Sequence, residues 1–188
     1  SATIWQTVGV PQHRIYYLPA SKNWWEAGPN GPCGHDTEMY YDLTEEGLGD
    51  LTHKQFLEAD SKQQGVEIWN NVFMEYLKKD GKVVGRLPSR NVDTGSGLER
   101  VVTVIQKKRS VFETDAFVPI IDRICELAKI VLAYDQTEEH RAASTRAVRI
   151  IADHVRASVF LIADGVLPSN TDRCYILRRI LRRAINHA

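Results

Sequence analysis

The chain has 188 residues, with 24 lysines and arginines against 24 aspartates and glutamates, so its formal net charge is zero and nothing in the total points to nucleic acid. That length buries a core in one domain or two small ones, and no apolar run approaches the ~20 residues of a membrane span. Three cysteines, Cys33, Cys125 and Cys174, stand far apart without CxxC spacing, which argues against a disulfide framework and suits a reducing, cytoplasmic compartment.

The first residues, SATIWQTVGVPQHRIYYLP, carry no initiator methionine and no signal-like segment, and they read as entering partway through an element, as a fragment would. Residues 1 to 65 are rich in Pro, Gly and aromatics around NWWEAGPNGPCG, a composition that predicts loops over short strands. From Gly65 the alternating VEIWNNVFMEYL leads through KKDGK to VVGRLP, which predicts an antiparallel hairpin turning at Asp80-Gly81. NVDTGSGLER follows, and LERVVTVIQKK places apolar residues at 98, 101, 104 and 105, the spacing of one helix face. The local context is strand, glycine turn, helix. Between residues 108 and 115 the character changes. DAFVPIIDRICELAKIVLAY, RAVRIIADHVRASVFLIADG and DRCYILRRILRRAINHA carry apolar residues three and four apart, with Gly165 and Pro168 breaking the last two. The expectation is an α+β chain, a sheet with helices over residues 1–110 and an all-helical segment over 111–188.

Chemistry concentrates in few places. A GxG turn ahead of a helix lets backbone N–H groups approach an anion, aided by the positive helix end. The third glycine of a dinucleotide fingerprint and the GK[ST] of a P-loop are both absent, so a phosphate turn and a plain helix-capping turn stay open. Asp93 suits a substrate ammonium or the entry to a helix, and Arg100 suits a phosphate or a neighbouring carboxylate. Asn70 and Val72 flank Asn71 and share a sheet face, while Trp25 fits either core packing or a pocket wall. In the last helix, arginines at 173, 178, 179, 182 and 183 alternate with Tyr175, Ile176, Ile180, Leu181 and Ile185, which predicts a docking face beside a basic flank that is either solvated or RNA-binding. Cys33, His35, Asp36, His154 and His187 are metal-ligating types, but the CxHD spacing lacks a second ligand pair, so no zinc is expected in this segment.

DTGSGLERV resembles motif 3 of the class II aminoacyl-tRNA synthetases, here at residues 92–101, and VDTGSGLER is similar to the version in the alanyl branch. NWWEAGPNGPCG resembles that branch's NFWxxGxxGPCGP segment, EIWNNVFMEY its EIWNxVFMQ strand, and RIIADHVRASVFLIADGVLPSN with YILRRILRRA its helical region. The resemblance implies that residues 1–110 are the C-terminal half of a catalytic domain and 111–188 the start of a tRNA-recognition domain. It implies activation of alanine by ATP with Mg2+ and transfer to tRNA(Ala). Asp93 then holds the alanine ammonium in a closed pocket lined by Trp25, Asn70, Val72 and Gly95. Gly95, Gly97 and Arg100 contact ATP, and Asn170, Arg178 and Arg179 meet the tRNA acceptor stem. Motifs 1 and 2 of the family precede residue 1, so an N-terminal catalytic half is an expected partner and the isolated chain is expected to be inactive. Two departures stand out. His35 replaces the proline of GPCGPxxE, which predicts a less rigid loop, and Cys174 stands where a glycine is common. A non-catalytic RNA- or partner-binding module and one subunit of a split synthetase are the alternatives.

Overall fold

Gly65–Lys79 forms strand β3 and Lys82–Gly95 pairs back on it as β4, the two closing on Asp80 and Gly81 at φ 48° and 76°, the left-handed pair of a tight hairpin turn. A computed structural model describes residues 1–130 and 138–188; the last four residues of the first predicted second-half helix, 131–134, lie outside them. The chain is α+β and divides into two compact units, Ser1–Arg109 and Ser110–Ala188.

The first unit is a four-stranded antiparallel sheet in the order β1-β2-β3-β4, where β1 is Trp24–Glu26 and β2 is Gly31–Asp42. Helix α1 covers Ala2–Thr7 and α2 covers His53–Ser61. The expectation of loops over short strands is therefore corrected: β2 runs for twelve residues, and two helices form within residues 1–65. Helix α2 begins at a capping box, in which Thr52 Oγ1 accepts from Gln55 N at 3.3 Å and Gln55 Oε1 accepts from Thr52 N at 2.9 Å. Its Phe56 stacks on Tyr16 at 4.3 Å and meets Tyr40 of β2 edge-on at 5.4 Å, which fastens the helix to the strand. His35, expected in a loosened loop, lies inside β2 and stacks on Phe73 at 5.2 Å.

The register of β2 on β3 changes at Gly34, from Cys33 opposite Tyr76 to Asp36 opposite Val72. A methyl at Gly34 would stand 1.8 Å from the Phe73 carbonyl oxygen, so the crossing of the two backbones there excludes every side chain.

Beyond β4 only Ser96 and Gly97 precede α3, Leu98–Ile105. The expected helix forms, with its apolar face only partly covered, since Val101 and Val104 are half-buried. Leu98 and Ile105 are 69% and 72% exposed, while Thr103 is buried, its hydroxyl donating to the Glu99 carbonyl at 2.7 Å.

The second unit holds α4 (Val118–Ala128), α5 (Glu138–Ala163) and α6 (Asp172–His187). Gly165 ends α5 at φ 82°, with Gly165 N–H donating to Ile162 O and Val166 N–H to Leu161 O, a Schellman pair. Phe117, Val148, Ala152, Val166, Leu177 and Ala184 are buried. On α6 the buried stripe is Leu177 and Ala184, seven residues apart, whereas Tyr175, Ile176 and Ile185 from the predicted docking face are exposed. Among the described residues no helix is long and apolar enough to cross a membrane.

Replacing Gly34 by alanine should destabilise the protein by about 3 kcal/mol, since a Cβ there meets backbone rather than a side chain that can yield. Gly85→Ala is the control, because its methyl would meet nothing within 4 Å. Urea denaturation of the two variants checks this: equal midpoints would disprove the steric account.

Candidate functional site

In an antiparallel sheet, residues opposite one another project from the same face. The register therefore lines up Asp36, Val72 and Asp93 as one row across β2, β3 and β4, and Glu38, Asn70 and Gly95 as the next. A second register shift skips Ile68 and sets Glu67 opposite Tyr40, which turns Glu67 onto the face of Asn70 despite its odd spacing. Two irregularities in β2–β3 pairing thus gather Asp36, Glu38, Glu67 and Asp93 on one sheet face.

Their hydrogen bonds form a network. Asn70 Nδ2 donates to Asp36 Oδ2 at 3.2 Å and to Glu38 Oε1 at 3.3 Å, while Asn70 Oδ1 is enclosed and without a hydrogen-bond partner among the described residues. Asn23 Nδ2 donates to the Asp36 carboxylate and, at 2.6 Å, to the Asp36 carbonyl oxygen. Tyr40 donates to Glu38 Oε2 at 2.8 Å. Burial pushes the Glu38 carboxyl above the ordinary carboxylate range, against the lowering effect of the tyrosine bond and with Glu67 and Asp36 adding to the rise. The Tyr40 hydroxyl is pushed up as well, by burial first and then by its bond to Glu38. Asp93 is exposed, and its Oδ1 accepts from Thr94 N at 2.9 Å. Arg100 Nη1 reaches Glu67 Oε2 at 2.6 Å and the Glu67 carbonyl at 3.3 Å. Among the described residues, Arg100–Glu67 is the ion pair of this face, and Asp36, Glu38 and Asp93 belong to none. Such a face suits a small cationic group.

Four residues singled out from the sequence, Asn70, Val72, Asp93 and Gly95, are brought together as two neighbouring cross-strand pairs. Trp25 lies on edge strand β1, opposite Gly34 and 36% exposed. Asp93 lies inside β4 and not at the helix entry, where Gly97 is the N-cap, and its exposure makes this an open face where a closed pocket was implied. Neither Gly95 nor Gly97 has positive φ. A methyl at Gly95 would meet nothing within 4 Å, and one at Gly97 would press on the Arg100 side chain at 3.2 Å, so these glycines supply space and not backbone freedom. Asn23, Glu38, Tyr40 and Glu67 were not singled out from sequence, and Asp36 only as a candidate metal ligand. The alternation Asp36, Glu38, Tyr40 was the available signal.

In the second unit, Arg178 Nη1 donates to Asn170 Oδ1, joining two of the residues assigned to RNA. Arg178 and Arg179 line a groove of about 490 Å3 with Tyr175, Arg182, Arg183 and Asn186. A second hollow of about 580 Å3 gathers Arg146, Arg149 and Arg183 over Phe112, with the Arg149 guanidinium 5.2 Å from that ring. Both present guanidinium groups, the chemistry that meets phosphate. Among the described residues no three His, Cys, Asp or Glu side chains group so as to hold a metal ion.

Comparison with known proteins accords with these features. The family pattern described as tRNA synthetases class II (A) matches residues 1–188. An alanine–tRNA ligase of Borrelia hermsii is 43% identical over all of this chain and 30% of its own length. Those of Rubrobacter xylanophilus and Christiangramia forsetii are 44% and 42% identical over 98% of this chain, matched across 21% and 20% of their lengths. The chain thus spans between a fifth and a third of the curated relatives it matches. It belongs to the class II (A) tRNA synthetases, a family of ligases, and within them to the alanyl-tRNA synthetase branch.

Proposed function

We propose that the protein containing this segment activates alanine with ATP and transfers it to tRNA(Ala) in the cytoplasm. The observation that carries the reading is the register pairing Val72 with Asp93 and Asn70 with Gly95. An amine-binding carboxylate, an amide, an apolar wall of methyl size and an unobstructed glycine then adjoin a helix start and an arginine. Asp93 receives the α-ammonium of alanine, Asn70 adds polar contact, Val72 and Trp25 bound the methyl, and Gly95 lets backbone approach the ligand. A charged partner across such a bond favours an amine over a neutral isostere.

The alanine carboxylate oxygen attacks the ATP α-phosphorus, forming the carboxyl–phosphate bond as the bond to pyrophosphate breaks. Gly95, Gly97 and Arg100 lie along the nucleotide, and Arg100 offsets phosphate charge as it redistributes. Mg2+ enters as part of the ATP substrate, held largely by phosphate and water oxygens. A ribose hydroxyl of the tRNA terminus then attacks the alanyl carbonyl, and AMP leaves. Asn170, Arg178 and Arg179 meet the acceptor stem. The amide of Asn170 can both donate and accept at the minor-groove edge of a G·U pair, and the arginines neutralise phosphates.

Alanine-dependent ATP–pyrophosphate exchange by the full-length protein that contains this segment tests the first step. Asp93→Asn should lower kcat/KM for alanine by roughly 100-fold through loss of a charged bond, and Arg100→Gln should act chiefly on the KM for ATP. Unchanged exchange in Asp93→Asn would sink the alanine assignment, and tRNA binding with no exchange by the parent would favour a non-catalytic RNA-binding module.

Aminoacylation tests the second step. Arg178→Ala should slow charging of tRNA(Ala) and flatten its salt dependence, while exchange without tRNA stays at the parent rate. Equal losses in both assays would remove Arg178 from the tRNA interface.

A further inference from the structure

Asp36 carries a carboxylate that the alanine reading leaves without a role. It is 5% exposed, and no ion pair reaches it among the described residues. Its side-chain partners are amides: Asn23 Nδ2 at one oxygen and Asn70 Nδ2 at the other, with Asn23 also bound to the Asp36 carbonyl. A carboxylate this enclosed has to be stabilised by donors, and here both are neutral.

The consequence falls on Asn70. Its nitrogen faces two carboxylate oxygens, Asp36 Oδ2 and Glu38 Oε1. Turning the amide over would set its oxygen against both, so charge dictates the orientation. Asn70 Oδ1 is left enclosed with its acceptor capacity unused. A buried acceptor without a donor is unfavourable until one arrives. It stands on the face shared with Val72, Asp93 and Gly95, diagonal to Asp93 across the β3–β4 pairing.

We propose that Asp36 is a positioning residue for the substrate amine, orienting Asn70 so that its oxygen stays a bare acceptor for an N–H of the α-ammonium group. The inference rests on the alanine-binding reading and deepens it by adding a second amine acceptor and the residue that holds it ready.

Exchange assays on the full-length protein that contains this segment test this with Asp36→Ala, Asn70→Ala and the double variant. Asp36→Ala should raise the KM for alanine roughly 10-fold while the KM for ATP stays within about twofold. In the Asn70→Ala background the same substitution should change the alanine KM by less than about twofold, because the group it acts through is gone. Where exchange by the double variant is too slow to follow, equilibrium titration with alanine applies the same criterion. Asp36→Asn keeps one acceptor oxygen, should show the same split at smaller size, and replaces Asp36→Ala if that variant fails to fold. A parallel rise of both KM values, or independent effects that multiply in the double variant, would make Asp36 a purely structural residue. A parent without alanine-dependent exchange would defeat the alanine reading and this inference together, whereas normal exchange by the parent with an unaltered alanine KM in Asp36→Ala would defeat this inference alone.

Discussion

The contact on which the sheet face depends is between backbones: at Gly34, β2 lies so close to the Phe73 carbonyl of β3 that no Cβ fits between them. Gly34 is not at positive φ, so its constraint is steric alone. The close approach accompanies the register change that places Asp36 opposite Val72. Side chains alternate with a period of two, and a slip of one residue would carry Asp36 and Glu38 to the other face. The second shift, at Ile68, performs the complementary task on β3 by bringing Glu67 into line with Asn70. A regular pairing of the same two sequences would scatter these groups over both faces.

What the register gathers is electrically one-sided. In the first unit the buried apolar side chains are Cys33, Ala59 and Val72, so little hydrophobic burial surrounds the network. Asp36 and Glu38 are held by amide and hydroxyl donors, which satisfy their oxygens without cancelling their charge. The raised Glu38 carboxyl is the expected response of an acid crowded by burial and by like charges. A face assembled this way has a standing preference for a cation, and the enclosed, unpaired Asn70 oxygen adds a directional acceptor to that preference.

Periodicity made part of this legible. The β3–β4 hairpin and its Asp80-Gly81 turn, the helix after the glycines and the break at Gly165 all follow from spacing and turn chemistry. Strand β2 did not, because the Gly-Pro-Cys-Gly start of a bulged strand has the composition of a loop. Helix α2 was overlooked although Thr52 and Gln55 spell a capping box, since its few apolar residues give a weak stripe. On α6 the paired arginines obscured Leu177 and Ala184 as the buried stripe. Asp93, Asn70 and Val72 were singled out for the amino acid because the family motifs that carry them are short and contiguous. Asp36, Glu38 and Glu67 were not, because strand pairing brings them together across bulges that no single stretch of sequence marks.

The two glycines after Asp93 acquire their meaning from what they omit. Helix α3 starts at Gly97 with no side-chain cap, forgoing the roughly 1 kcal/mol that a serine or aspartate N-cap contributes over alanine. Neither backbone conformation nor packing explains Gly95, whose added methyl would enter open space. An uncapped helix start beside an unobstructed strand end leaves backbone N–H groups open to an anion. Arg100 completes the arrangement. Its pairing with Glu67 holds the guanidinium beside the turn, but with side chains 47% and 27% exposed such a pair contributes at most about 1 kcal/mol. Charge-assisted bonds from arginine to phosphate are stronger and can be bidentate. Glu67 therefore orders Arg100 without committing it, and a phosphate arriving at the turn can take the arginine over at small cost.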